Sequence, residues 1–167
     1  QTRKGGGITS FVVHPISVAL LLARYTQDEN TLISAILHDA LEDTSYSPKE
    51  IKREFGSRVL TIVRDVSDKL PNDPWAKRKE AYIRRLRKIS KEACLIACAD
   101  KIHNLQALIN GYKKSGDAIW SYFNAPKEEK IAFYEAVYRE ARKRFKHPII
   151  RELGNNLREA KKCLSLV

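Results

Sequence analysis

The stretch Ile36-Leu37-His38-Asp39-Ala40-Leu41-Glu42-Asp43-Thr44 gathers four ionisable side chains at the end of an apolar run. On one continuous helix, positions i and i+4 share a face, so His38 is expected to stack near Glu42 and Asp39 near Asp43. Burying such groups is costly unless they pair or hold a cation. The plain alternative is a helix end that emerges into solvent carrying carboxylates. Two distant segments bear on that choice. Asp100 closes the apolar run Ala93 to Ala99 and is followed by Lys101, His103 and Asn104, and His14-Pro15 opens another apolar stretch. Two imidazoles, His14 and His38, with two carboxylates, Asp39 and Asp100, make a mixed nitrogen and oxygen shell. It suits one divalent metal ion such as Mn²⁺, Fe²⁺ or Zn²⁺ better than a thiolate site would. Such an ion brings a bound water toward neutral pKa and shields phosphate charge. By its spacing His103 is expected to pack beside the site rather than ligate, and His147-Pro148 reads as a helix break. No Gly-rich phosphate loop and no serine elbow competes with this chemistry.

Helical periodicity dominates the segments that must position these groups. Val12 to Tyr25 is apolar with few breaks, as a core helix would be. Asn30 or Thr31 is placed to cap a helix through Leu32, Ile33, Ile36, Leu37 and Leu41. Ser47-Pro48-Lys49-Glu50 reads as a capping box with Pro at the first helical position, closed by Gly56. Val59 to Val66 supplies the next apolar stripe. After the break Leu70 to Pro74, Asp73 is placed to cap a basic helix over Trp75 to Ile89. Ser90 starts a helix from Glu92 to about Tyr112, whose middle is apolar all round and therefore central. Ser115-Gly116-Asp117 ends it, and helices follow around Ala118 to Phe123, from Pro126 to Phe145, and over 148–167. No alternating strand and no repeat is found. The expectation is an all-α fold, one domain over 1–167.

The 167 residues suffice for a substantial core, and 43% hydrophobic with 31% charged residues is ordinary globular composition. There is no Met, from which we expect the numbering to start inside a longer chain. Thirty-one basic against 20 acidic residues leave a net charge of +11, which attracts polyanions without naming one. Lys77 to Lys79, Arg84 to Lys88 and Arg139 to Lys146 read first as solvated helix faces. Three Cys, an odd count without a secretory signal, suit a reducing cytoplasm. Cys94 and Cys98, one helical turn apart, read as small buried apolar residues. No apolar run approaches the roughly 18–20 residues needed to span a bilayer, so no membrane partner is expected.

With these residues in view, the sequence resembles the HD superfamily of metal-dependent phosphohydrolases, whose pattern is a lone His, a His-Asp pair and a distant Asp. His14, His38-Asp39 and Asp100 match in that order. More narrowly it is similar to the hydrolase domain of RelA/SpoT-type enzymes and to their small single-domain relatives, the small alarmone hydrolases. Arg3-Lys4-Gly5, Glu42-Asp43-Thr44, Asp100 to Leu105, Trp75 to Tyr82 and Gly116 to Asn124 carry the likeness, which spans Arg3 to Arg142. The resemblance implies an HD-domain helical bundle and hydrolysis of the 3′-pyrophosphate of guanosine tetra- or pentaphosphate, usually with Mn²⁺. It implies that Glu42 and Asp43 orient the attacking water and handle protons, chemistry open to carboxylates beside a metal. It assigns Arg3 and Lys4 to the guanine base and phosphates, Asn104 to the nucleoside and Tyr134 to the base. The substrate partner would be a guanine nucleotide, with no specific nucleic-acid binding. For Arg3 and Lys4 a loose basic terminus stays open, and for Tyr134 a core ring.

The chain departs from the family around the pocket. Gly6-Gly7 and Thr9-Ser10 stand where a Pro-Tyr turn is usual, Phe11 stands where Tyr is common, and Gln106 stands where Arg is frequent. None of these touches the ligands; all bear on the substrate. The rival readings are an HD nucleotidase for another (deoxy)nucleotide and a non-catalytic basic module binding nucleic acid or a regulatory partner.

Overall fold

The longest helix is the one whose sequence is apolar on every side. In the computed structural model, which describes residues 10–68 and 73–166, Lys91–Ser115 forms the central helix, and every residue from Ala93 to Ile102 is buried. In chain order the elements are α1 (Val13–Ala23), α2 (Glu29–Ile36), α3 (Ala40–Asp43), α4 (Pro48–Val66), α5 (Trp75–Leu86), α6 (Lys91–Ser115), a 3₁₀ helix (Gly116–Tyr122), α7 (Lys127–Arg144) and α8 (Pro148–Cys163). Among the described residues there is no strand, and the fold is all-α. Helices α1, α2, α4, α7 and α8 all pack on α6, and α5 leans on α7. Cys94 and Cys98 lie fully inside this core, as small apolar residues would. None of the described helices is long and apolar enough to cross a membrane.

Several helix ends follow local chemistry. Ser47 and Glu50 form the expected capping box, and Ser90 Oγ accepts from the Ala93 amide at 3.2 Å to start α6. Gly56 closes the first run of α4 with φ of +87°, and a second helical run starts beyond this kink. A side chain there would meet no neighbour, so the requirement is the backbone conformation alone. Two caps differ from expectation. Asp28, not Asn30 or Thr31, caps α2, accepting from the Thr31 amide at 2.9 Å. Asp73 does not cap α5, whose cap position is Pro74; it pairs instead with Lys77 at 3.3 Å. His147 is more than a break, because its Nδ1 accepts from the Ile149 amide at 3.4 Å at the start of α8.

The largest difference lies at the chemistry-bearing segment. One helix through Leu41 was expected, but α2 ends at Ile36 and α3 starts afresh at Ala40, so the i, i+4 stacking drawn for His38 and Asp39 has no continuous helix to rest on. The reason is competition for carbonyls. The Ala35 carbonyl accepts from His38 Nδ1 at 2.8 Å, and the His38 carbonyl accepts from Ser67 Oγ at 3.3 Å. The Glu42 amide then turns to Asp39 instead, at 3.0 Å. Leu37 and Leu41 anchor the broken segment against a satellite core of Ile51, Val59, Leu60 and Val63.

Candidate metal centre

Three elements bring the ligand-type residues together. His14 is the second residue of α1, His38 and Asp39 occupy the turn between α2 and α3, and Asp100 sits mid-way along α6. His14, His38 and Asp100 are buried, and each offers one ligand atom within 4.8 Å of the others. Asp39 flanks them from the more open side: its Oδ2 lies 3.2 Å from His38 Nε2 and 3.6 Å from His14 Nε2. Asp100 Oδ1 lies 3.2 Å from the same His14 nitrogen. The two imidazoles meet edge to face with centroids 5.1 Å apart.

The donor set fits a divalent cation. His38 donates its Nδ1 proton to the Ala35 carbonyl, so Nε2 is the nitrogen that the imidazole would offer a cation once the proton there is displaced. That Nε2 is sealed from water and faces Asp39 Oδ2 at 3.2 Å, so a metal ion taking the place of its proton would be shared by imidazole and carboxylate. His14 is held the same way: its Nδ1 lies 2.9 Å from His103 Nδ1, which turns Nε2 inward. A ligand imidazole fixed through its other nitrogen is the usual design of such sites. His103 thus packs beside the group and holds the His14 ring.

Electrostatics agree. Burial alone would push the His38 imidazolium down, but the Asp39 and Asp100 carboxylates outweigh it and raise it to about 9. Asp100 feels the opposite balance: burial pushes its carboxyl up, and Lys101 with both imidazoles pulls it well below the usual range. Without a metal the pocket therefore retains positive charge, either as protons or on Lys101, which pairs with Asp100. Asn104 Nδ2 donates to the other Asp100 oxygen.

The group opens into a cavity of about 530 Å³. Glu42, Asp43 and Asn104 line it, as do Phe11, Asp68 and Phe123. Burial raises Glu42, helped by the nearby Asp39 and Asp68 charges and opposed by the Asp68 amide that donates to it. Sequence reasoning gave no role to three lysines, Lys79, Lys101 and Lys130, that converge on the same cavity. Each sits over aromatic rings: Lys79 5.3 Å from the Phe133 centroid, Lys101 5.0 Å from Tyr82, and Lys130 4.2 Å from Phe123. Burial and the Lys101 charge bring both Lys79 and Lys130 down to about 8. Lys79 lay hidden in a basic run read as a solvated face. Lys101 stood next to Asp100 and could have been suspected from that alone; Lys130 carries no local signal. Tyr134 is buried, 4% exposed, and packs behind the lining with its ring 5.7 Å from the Lys130 ammonium. Arg3 and Lys4 lie outside the described residues.

Comparison with known proteins gives this geometry a context. A family model described as the HD domain matches residues 1–128. A guanosine-3′,5′-bis(diphosphate) 3′-pyrophosphohydrolase of Haemophilus influenzae is 36% identical over 114 residues, 65% of this chain and 16% of that protein. The enzyme of the same name, MESH1, of Drosophila melanogaster is 37% identical over 110 residues, 65% of this chain and 61% of that protein. The chain thus spans only a minor part of the long bacterial relatives. Among solved structures, a metazoan ortholog of SpoT that hydrolyzes ppGpp superposes with a TM-score of 0.78 at 29% identity, covering 100% of this chain and 88% of that one. A Listeria monocytogenes protein with 24% identity and the same TM-score of 0.78, covering 95% of this chain and 98% of its own, shares the fold. With a family match over most of its length and its buried His, His and Asp drawn together at one cavity, the chain belongs to the HD-domain family.

Proposed function

We propose that the protein is a metal-dependent alarmone hydrolase that removes the 3′-pyrophosphate of guanosine tetra- or pentaphosphate, releasing pyrophosphate and GDP or GTP. The observation that carries this reading is one cavity with a cation-ready His14, His38 and Asp100 group beside Glu42 and three sheltered lysines. A site that collects a cation and ammonium groups around carboxylates is built for a polyphosphate and a water. The relatives named for this reaction supply the substrate class.

His14, His38, Asp39 and Asp100 would hold one divalent ion, which we take to be Mn²⁺. When bound, it supplies charge shielding and electrophilic help for attack of water on phosphorus. Glu42, with its raised proton affinity, accepts the proton from that water, and Asp43 on the same turn helps to orient it. Lys79, Lys101 and Lys130 offset phosphate charge where the bond from the 3′ oxygen to phosphorus breaks. Asn104 meets the nucleoside from the cavity wall, and Arg3 and Lys4 are assigned to the base and phosphates. We assign Tyr134 to the base region through Lys130, which its ring supports. The proposed setting is the cytoplasm.

The test is pyrophosphate release from guanosine tetraphosphate by the purified chain with Mn²⁺ and with EDTA. Mn²⁺-dependent release of pyrophosphate and GDP is the expected result, abolished by Asp39→Asn with the helical content retained. Release from a different nucleotide instead would replace the substrate and keep the site. Full activity of the Asp39→Asn chain would remove the site assignment itself.

A further inference from the structure

Glu42 stands on a helix too short to aim it. With four residues, α3 is a single turn, and one turn does not hold its own shape in water. Its carboxylate is steadied from elsewhere: Oε1 accepts from the Asp68 backbone N–H at 2.5 Å, a charge-assisted bond from the segment leaving α4. That segment is tied down in turn. Arg78 Nε donates to Asp68 Oδ2 at 2.7 Å, and Arg85 donates to the Ser67 carbonyl at 2.8 Å. Ser67 Oγ donates to the Val63 carbonyl at 2.8 Å and reaches the His38 carbonyl at 3.3 Å. The Asp68 and Arg78 side chains are only 6% and 28% exposed, so their pairing is sheltered from water, unlike a surface ion pair.

We propose that Asp68 and Arg78 are positioning residues for the Glu42 carboxylate, their ion pair setting the backbone amide that aims it at the cation side of the cavity. The inference rests on the reading of Glu42 as proton acceptor. A backbone amide points where its residue is anchored, and the side chain of residue 68 is anchored on α5 by Arg78 at 2.7 Å and more loosely by Lys79 at 4.0 Å. Basic helix and base are thereby linked through Ser67 and Asp68, although α5 supplies none of the His14, His38, Asp39 and Asp100 group. A displacement near 1 Å at a reacting group lowers rate about 100-fold, so a pair remote from the metal can govern turnover.

The experiment uses the metal-loaded full chain with Asp68→Asn, Asp68→Ala, Arg78→Ala, Arg78→Lys and the Asp68→Ala/Arg78→Ala double variant. Saturation kinetics, metal affinity and thermal midpoint are read for each. Each single alanine variant is expected to lower kcat about 10- to 100-fold with KM and metal affinity little changed. The double variant should be no slower than the worse single one, because both substitutions release one anchor. Arg78→Lys should recover part of the rate, and Asp68→Asn, equal in shape, guards against misfolding. A raised KM at unchanged kcat would mean that Arg78 grips substrate directly and would overturn the proposal. Losses that multiply in the double variant, or loss of metal, would overturn it as well. If the wild type cleaves another nucleotide, the substrate reading fails while these ratios still decide the positioning role. A wild type inactive on every nucleotide would sink both.

Discussion

Replacing His103 by Leu removes the support of the His14 ring without touching His14 itself. His103 Nδ1 lies 2.9 Å from His14 Nδ1, while His14 Nε2 faces Asp100 and Asp39. The tautomer that serves a cation carries its proton on His14 Nδ1 and donates it to His103. Leu is similar in bulk and accepts nothing, and His14 is 4% exposed, so water does not readily take over. Two independent routes give the size of the effect. A buried donor left unpaired costs about 1–3 kcal/mol. Loss of the group that orients a ligating imidazole weakens metal binding about 10–100-fold, equivalent to about 1.4–2.8 kcal/mol. The routes agree, so Mn²⁺ titrated calorimetrically into the EDTA-stripped variant should bind about 10–100-fold more weakly than to the wild type. The thermal midpoint of both stripped proteins shows whether the variant folds. A folded variant with wild-type affinity would refute the reasoning and leave Asp39 and Asp100 as sufficient to orient His14.

Lys101→Met should leave the Asp100 carboxylate to Asn104 and the imidazoles alone, in a place where its side chain and that of Lys101 are each 11% exposed. Breaking one side of a wholly buried pair costs about 3–5 kcal/mol; with those partners kept the loss should fall below that range, to be read as a lower urea midpoint of the metal-free chain. Gly111→Ala puts a Cβ 2.3 Å from Ile119 Cδ1; the buried Ile119 must move, at a cost of about 1–3 kcal/mol set against the about 1 kcal/mol that Ala gains over Gly inside a helix, and a midpoint raised by that full helix gain would contradict the close packing of the 3₁₀ helix on α6. Lys79 and Lys130 lose their protons near pH 8 in the folded chain, so binding of sulfate, an anion that does not itself titrate, should weaken from pH 7 to pH 9. Linkage has the opposite sign for folding. Between about 8 and the ordinary lysine value the unfolded chain holds more protons, so these two groups add stability as pH rises through that window. Sulfate affinity flat across that range would show that these lysines do not face the anion.

Much of the fold could be read from residue order because it is set by local rules. The all-round apolar middle of α6, the Ser47–Glu50 capping box and the Gly56 kink each depend on neighbours a few residues away. The ligand-type residues were legible for a similar reason: His and Asp placed against apolar runs are costly without a purpose, whatever the surrounding fold. The helix through His38 was misjudged because its interruption is only partly local: beside the bond from His38 to the Ala35 carbonyl, a Ser67 hydroxyl 29 residues away occupies the His38 carbonyl. The lysine-lined wall was missed because α5, α6 and α7 each supply one member, and a lone Lys has no pattern.

Sequence by itself therefore determined an all-helical chain, a set of His and Asp side chains that packing draws together, and a basic character. Tertiary structure alone decided which of thirty-one basic residues face the cavity, where the helix breaks so that His38 Nε2 points inward, and what holds Glu42. The physical reason is range. Caps, stripes and glycine turns act over one helical turn, whereas sheltering an ammonium over an aromatic ring or aiming a carboxylate with a distant amide requires groups that only packing brings together.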